Sequence, residues 1–379
     1  MSTIEIKPIP LTKRELTKFV RFGIDHYKGN EFFVPPLIMD DVNTLRPETN
    51  PAFEFCESAC WLALRDGKPV GRICGIINNA VNARTGNKDA RFGFVEFIDD
   101  AEVVDALFAT AENWARSKGM TSIVGPLGFS DMDYEGMLVE GFDRLSTMAT
   151  IYNYPYYPAH MERMGYKKDA DWVEFFIEVP DAVPEKMTRV CNIVRQRFGL
   201  HTAKLTTRKK LKDQYGQKLF QVINEAYDKL YGYSPLTPRQ IEHYIKMYLD
   251  IIRLDSVCVI VDNDDNLVGI GIAMPSLSRA LQKSGGKLFP TGWIPLLKAL
   301  RGTGATDIVD LLLVAIKPEY QGKGVNALLF EHLIPRFIEM GFKHAETNPE
   351  LESNDNVQKQ WEYFNYEQHK RRRSFRKDL

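Results

Sequence analysis

Between Asp310 and Asn326 the chain reads Asp-Leu-Leu-Leu-Val-Ala-Ile-Lys-Pro-Glu-Tyr-Gln-Gly-Lys-Gly-Val-Asn. Few folds accept such a stretch. Its first half is an almost unbroken apolar run, the pattern of a strand covered on both faces. Pro318 stops that strand, because proline cannot donate to a ladder. Gln321, Gly322, Lys323 and Gly324 then form a tight turn, and Val325, Leu328, Leu329, Leu333 and Phe337 recur at helical spacing beyond it. A strand, a glycine turn and a helix start together make a cradle for phosphate. Glycine lets backbone N–H groups approach an anion, and the helix N-terminus adds partial positive charge. A Walker loop needs four residues between its glycines and a Lys-Ser/Thr after them, and this turn is too short. A dinucleotide-binding turn needs a third glycine near Leu328 and normally opens its domain.

A third cradle fits better. Coenzyme A-dependent acyltransferases carry Gln/Arg-x-x-Gly-x-Gly/Ala after a Val-x-x-Pro strand end. Gln321, Gly324 and the Ile316-Lys317-Pro318 segment match that pattern. Asn326 stands where Gly or Ala is usual, and asparagine can still cap a helix. On these residues the chain resembles the GNAT superfamily of acyl-CoA-dependent N-acyltransferases.

The tail extends the resemblance, which covers roughly residue 199 to the end. A short strand at Lys343 to Thr347 precedes Asn354, Val357, Trp361 and Asn365-Tyr366. The superfamily commonly has Asn-x-x-Ala-x-x-x-Tyr-x-x-x-Gly-Phe here. Trp361 falls where the family often places the tyrosine that reprotonates the leaving thiolate. An indole N–H is far too weak an acid for that task.

The resemblance implies a particular site. Acetyl-CoA or another acyl-CoA would lie along Val314 and Ile316. Its pyrophosphate would rest on Gln321, Gly322, Lys323, Gly324, Val325 and Asn326, with Asn354 and Trp361 beside it. Backbone N–H groups would polarise the thioester carbonyl. An amine arrives as an ammonium and must lose a proton before it attacks. Asp310 and Glu346, on neighbouring strands, are the candidate bases, and Tyr363 is the candidate substitute acid. Tyr231 and Tyr233, in the Tyr227 to Leu236 connection, would give the acceptor groove an apolar wall with polar tips. The expected acceptor is the amine of a small molecule, an amino acid or a peptide, acylated by direct attack, with acetyl as the expected group. The alternative is a protein that binds and senses acyl-CoA without turnover.

Composition narrows the partners. A chain of 379 residues suggests two domains. A net charge of −1 argues against a life on nucleic acid or an anionic membrane. No apolar run approaches the roughly 20 residues of a membrane span. The N-terminus lacks the blocks of a signal peptide. Five cysteines make an odd count with no zinc spacing. The expectation is a cytoplasmic protein with reduced thiols, no metal, no nucleic acid and no membrane partner.

Along the chain, Ile4 to Ile9 reads as a strand and Leu11 to Tyr27 as a helix. Asn30 to Phe55 reads as irregular. Cys60 to Asn78 is a hairpin turning at Asp66-Gly67. Phe92 to Phe97 is a strand, Ala101 to Lys118 an amphipathic helix, Ser122 to Pro126 a strand, Tyr157 to Gly165 a short helix and Trp172 to Val179 a strand. The second half repeats the order: strand His201 to Leu205, helices Asp213 to Tyr231 and Pro238 to Ile251, hairpin Val257 to Met274, then the glycine-turn strand. The expected fold is α/β of the α+β mixed-sheet kind. It would comprise two GNAT-like lobes, residues 1–180 and 181–379, each a mixed, mostly antiparallel sheet flanked by helices. Only the second lobe has the coenzyme loop. In the first, Ile98-Asp99-Asp100 follows the corresponding strand, and two carboxylates would repel a pyrophosphate. Residues 275–306 form an insertion with a short amphipathic helix. The basic run His369 to Lys377 reads as the last strand of the fold.

Overall fold

The structure is a computed structural model that describes residues 3–249, 252–301 and 305–379. In chain order the elements are β1 (Ile4–Ile9), α1 (Lys13–His26), α2 (Ile38–Thr44), β2 (Cys56–Arg65), β3 (Lys68–Asn78), α3 (Asn79–Thr85), β4 (Asp89–Phe97), α4 (Ala101–Ser117), β5 (Ser122–Gly125), β6 (Met137–Glu140), α5 (Tyr156–Arg163) and β7 (Lys167–Glu178). They continue with α6 (Glu185–Phe198), β8 (His201–Thr202), α7 (Arg208–Tyr227), α8 (Pro238–Tyr248), β9 (Val257–Val261), β10 (Leu267–Pro275), α9 (Ser278–Ser284), α10 (Trp293–Leu300), β11 (Ile308–Ile316), α11 (Asn326–Glu339), β12 (His344–Thr347), β13 (Glu350–Leu351), α12 (Asp355–Gln358) and β14 (Tyr366–Asp378).

The chain divides into two compact units. The first comprises Met1–Val173, Ser278–Leu296 and His369–Leu379, and the second Glu174–Leu277 and Leu297–Gln368. This differs from a simple split at residue 180. Residues 278–296 of the insertion and the last strand from His369 onward join the first unit, while the two ends of the insertion and β7 from Glu174 onward join the second. The second helix of the later half ends at Tyr248 with Leu249 as its cap, and Asp250 and Ile251, the last two residues of its expected length, lie outside the described residues.

In the first unit the strands run β1-β2-β3-β4-β5-β14, with β6 on β14. All pairs are antiparallel except β4 with β5. Val104, Leu107, Phe108 and Ala111 of α4 are buried with Phe92, Phe97 and Ile73 of the sheet. Truncating Phe108 to Ala would cost about 3–5 kcal/mol. Asp100 caps α4, and its carboxylate accepts from the N–H groups of Glu102 and Val103.

The basic tail is a strand whose charges are answered inside this unit. Arg373 donates two bonds to Asp171, at 2.8 and 2.9 Å. Arg376 donates to Asp89 twice and to Asp169. Lys377 reaches Glu112 at 2.8 Å. Arg372 is wholly buried and donates to the carbonyl of Ile151. Bidentate guanidinium–carboxylate pairs fix register as well as charge.

In the second unit the order is β8-β9-β10-β11-β12-β7, with β13 on β7. Again one pair along this order, β11 with β12, is parallel, and β8–β9, β9–β10, β10–β11 and β12–β7 are antiparallel. The expected strand at His201 to Leu205 is reduced to two residues. Helix α6 was not among the expected elements. Only Met187, Cys191 and Val194 are buried along it, a thin stripe in a charged sequence. Gly199, at φ 64°, ends it as a left-handed cap.

Candidate functional site

The site is built where β11 and β12 part company. They pair in parallel from Ile308↔His344 to Leu311↔Thr347 and no further. β12 stops at Thr347, while β11 continues to Ile316 against β10. Asn348 holds the fork open. Its N–H donates to the Leu311 carbonyl (3.2 Å) and its side-chain amide to the Leu312 carbonyl (2.8 Å). The result is a central strand with one uncovered edge, and Leu311 to Val314 are only partly buried. Such an edge can bind an extended amide chain through main-chain hydrogen bonds.

Beyond β11 comes the cradle. Gln321 donates from its side chain to the Ile316 carbonyl (2.9 Å), folding the turn back on the strand end. Gly322 and Gly324 adopt φ 70° and 79°, which L side chains rarely reach. A Cβ on Gly324 would also meet Val190 of α6 at 2.9 Å. Among the described residues no carbonyl accepts from the N–H groups of Gly322, Lys323, Gly324 and Val325. Helix α11 begins at Asn326 without a side-chain cap. Unpaired N–H groups at an uncapped helix start have the chemistry to bind an anion. Lys323 lies exposed, with its ammonium 5.5 Å from the Phe198 ring and 5.9 Å from the Tyr320 ring. Val325 is buried and anchors the turn.

The first unit shows what the same topology looks like when the fork is filled. There β4 and β5 pair from Asp89↔Ser122 to Arg91↔Val124 and then separate. The Leu127 N–H donates to the Phe92 carbonyl, the Phe97 N–H donates to the Tyr157 hydroxyl, and the Tyr156 hydroxyl donates to the Phe97 carbonyl. Asp100 already occupies the start of α4. Protein groups thus sit where the second unit leaves strand edge and helix start open.

Around the second unit's fork the sequence-derived candidates fall into three groups. Asp310 and Glu346 are direct register partners across β11 and β12, and both are buried. A carboxylate oxygen of Glu174 on β7 lies within 4.8 Å of one of Glu346. Asn326, at the start of α11, donates from its side chain to Gln360 (3.1 Å), and Phe330 of α11 packs edge-on against Trp361 at 5.6 Å. This joins the helix start to the segment that follows α12. Asn354 precedes α12 and makes no side-chain cap bond there.

Trp361 is buried among Phe175, Phe330 and Phe364, and its indole N–H is directed at Glu350, 3.2 Å from both carboxylate oxygens. Tyr363 is only partly buried, with the Lys186 ammonium 4.9 Å from its ring. Residues 359–363 form a 3-10 turn rather than a continued α-helix. Tyr233 is buried and donates to Asn224 at 2.6 Å, the residue that also binds both backbone groups of Leu236. Its hydroxyl is therefore committed to shaping the α7–α8 connection. Tyr231 is half-buried in that connection.

Sequence reasoning missed three neighbours. The Tyr227 hydroxyl donates to the Val314 carbonyl at 3.0 Å, so it already occupies one acceptor of the strand expected to hold the coenzyme. Asn348 makes the fork. Glu350 is pushed up to about 8 by burial, only partly offset by the Trp361 hydrogen bond. An Asn just after the short strand and a carboxylate within reach of the misplaced tryptophan were the available signals. No thiol here is an activated nucleophile: burial pushes Cys191 up to about 12 and raises Cys258 further. A cavity of about 1020 Å³ lies elsewhere in this unit, lined by Lys204, Arg208, Arg253 and, from the later half of α11, His332 and Arg336.

Antiparallel strands in hairpin order, a parallel pair splayed at its end, and a glycine turn leading into a helix define a GNAT lobe; this chain has the tandem GNAT fold. A tandem GNAT protein from the clavulanic acid biosynthesis pathway aligns with 99% of this chain and 98% of its own, at TM-score 0.57 and 14% identity. A GCN5-related N-acetyltransferase from Sphaerobacter thermophilus aligns over 99% and 95%, at TM-score 0.50 and 11% identity. In sequence the chain is 27% identical to protein YghO of Escherichia coli K12, over 97% of this chain and 94% of that protein. It is also 27% identical to the bacterial ceramide synthase of Caulobacter vibrioides, over 93% and 91%. No protein-family model matches the chain.

Proposed function

We propose that the chain is an N-acyltransferase that binds one acyl-CoA in its second unit and passes the acyl group to an amine by direct attack. The observation that carries this reading is the fork: an uncovered β11 edge that leads within a few residues to the open N–H groups at Gly322 to Val325. The pantetheine arm would lie along Leu312 to Ile316 and the pyrophosphate on the turn, with Lys323 beside it. Asp310 or Glu346 would accept the ammonium proton through a water, since both are buried. A thiolate of ordinary pKa, about 8.5, can leave without the family's tyrosine.

The likeness to the Caulobacter protein supports a choice of substrates. Ceramide formation is itself the N-acylation of a long-chain amino alcohol. That protein is matched across nearly its whole length. It favours a fatty acyl donor and a lipid amine over the acetyl group and soluble amine expected from the resemblance. The cytoplasm is the proposed place of action, and no described helix is long and apolar enough to cross a membrane.

The second reading, acyl-CoA sensing without turnover, is favoured by Trp361, whose indole is packed away and directed at Glu350. Release of free thiol from acetyl-CoA and palmitoyl-CoA, measured with a panel of soluble amines and long-chain amino alcohols, separates the readings. Amine-dependent release supports transfer. Tight binding of acyl-CoA with no release from any donor–amine pair overturns it in favour of sensing.

A further inference from the structure

Residues 278–296 carry a feature that acyl transfer does not use. Phe289 is 78% exposed, Trp293 45% and Ile294 38%, the largest apolar side chains standing together in solvent within one short segment. The chain does not expose them through looseness. Gln282 donates to the carbonyls of Glu31 and Phe33 at 2.8 and 2.9 Å, and the Ile38 N–H donates to the Gly286 carbonyl at 2.9 Å. Gly286 lies so close to the Pro36 carbonyl that a Cβ there would come within 2.3 Å. Trp293 binds back on its own loop, by its N–H to Leu288 and its indole to Pro290. Leu281 and Leu296 are buried beneath. The segment is pinned at its base and presents a fixed aromatic tip.

The segment's own charge has one sign. Arg279, Lys283 and Lys287 are all exposed on it, and the exposed acids beside its anchoring bonds lie at its base: Glu31, whose carbonyl holds Gln282, and Asp40, two residues past Ile38. From Ser276 to Thr306 the sequence has five cations and no carboxylate. In a chain of net charge −1, such a stretch is unusual in sign as well as in hydropathy. A protein partner's apolar pocket would answer the rings alone. Exposed apolar side chains and exposed cations on one short anchored segment are what an anionic bilayer surface answers: Phe, Trp and Ile enter the headgroup boundary, and the lysines stay in the negative surface potential.

We propose that residues 279–294 dock the protein onto a membrane surface rich in anionic phospholipid, without crossing it. The expectation of no membrane partner rested on net charge, on the lack of a spanning segment and on this stretch being brief and only mildly basic. None of these shows that its Phe289, Trp293 and Ile294 stand in solvent on an anchored base. This inference does not depend on which acyl group or amine the second unit uses.

The test is co-sedimentation of the full chain with vesicles of phosphatidylcholine alone and with about 30% phosphatidylglycerol, a fraction that gives a substantial negative surface potential. The wild type should bind the anionic vesicles at least about tenfold more tightly, and salt well above physiological strength should weaken that binding severalfold. Phe289→Ser with Trp293→Ser should lose the binding, and so should Lys283→Glu with Lys287→Glu. Because these side chains reach solvent, both variants should keep the wild-type circular dichroism and coenzyme A affinity. Trp293 emission should shift to the blue only with anionic vesicles. The proposal is overturned if the wild type stays in solution with anionic vesicles, or if the folded variants bind as well as it does. It is equally overturned if the wild type is a dimer that Phe289→Ser alone turns to monomer, because a second copy would then be what covers the tip.

Discussion

Replacing Glu350 with glutamine should make the protein more stable, and increasingly so as pH rises. Glu350 is pushed from the ordinary value of 4.5 up to about 8 by burial, against the opposing pull of the Trp361 indole. A carboxyl whose folded pKa is raised holds its proton more tightly in the folded chain. Its contribution is complete below the unfolded value and is lost as pH climbs to the folded one. The displacement corresponds to about 5 kcal/mol in full, and to about 3–4 kcal/mol at pH 7. The amide of the Glu350→Gln variant has no proton to lose and keeps a carbonyl for the indole N–H, which lies 3.2 Å from the carboxylate in the wild type. The assay is urea unfolding of wild type and Glu350→Gln at intervals between about pH 5 and pH 9. The two should be nearly equal at the acid end, diverge steadily, and run parallel above about pH 8. Trp361→Phe removes the hydrogen bond that favours the ionised form, so the wild-type decline should then continue to higher pH. A separation that does not change with pH, or a glutamine variant less stable at pH 8, would refute the reasoning.

Gly324→Glu should lower coenzyme A affinity by well over tenfold in calorimetry, since it puts a negative side chain where backbone must meet phosphate; Gly324→Ala should show the smaller cost of φ 79°, about 1–2 kcal/mol, together with the Cβ contact to Val190, without the charge. If the Glu variant binds coenzyme A as well as the Ala variant does, the cradle is not the anion site. Asp310→Asn should slow amine-dependent thiol release at neutral pH and recover partly near about pH 9 and above, where free amine is abundant, while Tyr363→Phe should leave the rate nearly unchanged; the reverse pattern would exchange their roles. Asp171→Asn should cost about 2–3 kcal/mol by removing the charged partner of Arg373. Burial alone would raise Asp171, but bonds from Arg373 and Lys168 outweigh it and lower it. The wild-type advantage should therefore be present above about pH 4 and fade as acid protonates the carboxylate, and an advantage that persists unchanged at about pH 2 would contradict the pairing.

What could be read from the sequence was local. The apolar run of β11, its stop at Pro318 and the glycines before α11 each act within a few residues, so strand, turn and helix lay in plain order. Asp100 could likewise be seen as a helix cap rather than a phosphate ligand, because an N-cap reaches only two or three residues ahead. Asp310 and Glu346 could be placed on neighbouring strands from topology, and the register pairs them. Where the tail strand goes was not legible. The arginines of β14 read correctly as a strand, but nothing in Lys-Arg-Arg-Arg says that their acids are Asp89, Asp169 and Asp171, and hence that the strand completes the first unit. Sequence similarity between strands carries no partner label; charge complementarity does, and only once both sides are in view.

The same limit explains the site. An edge strand and a paired strand have the same alternation, so no pattern in Leu311 to Val314 announces that their outer edge is uncovered. What uncovers it is β12 ending at Thr347 and Asn348 turning its amide onto Leu312. The comparison inside the molecule makes the point sharper. Both units part a parallel pair at the same place, yet in the first unit Tyr156, Tyr157 and Leu127 fill the gap with their own hydrogen bonds. Tyr227 makes one such bond in the second unit, to Val314, and beyond Asn348's bonds to Leu311 and Leu312 the rest of the edge and the turn stay uncovered. A single hydroxyl is displaceable by the amide of an incoming pantetheine arm at about the cost of one neutral hydrogen bond, roughly 1 kcal/mol. Three filled positions and a carboxylate-capped helix are not. If that difference is what assigns acyl-CoA to one unit, Tyr227→Phe should tighten coenzyme A binding severalfold at most, and the stoichiometry by calorimetry should stay near one; a second bound equivalent would mean that the filled fork opens after all.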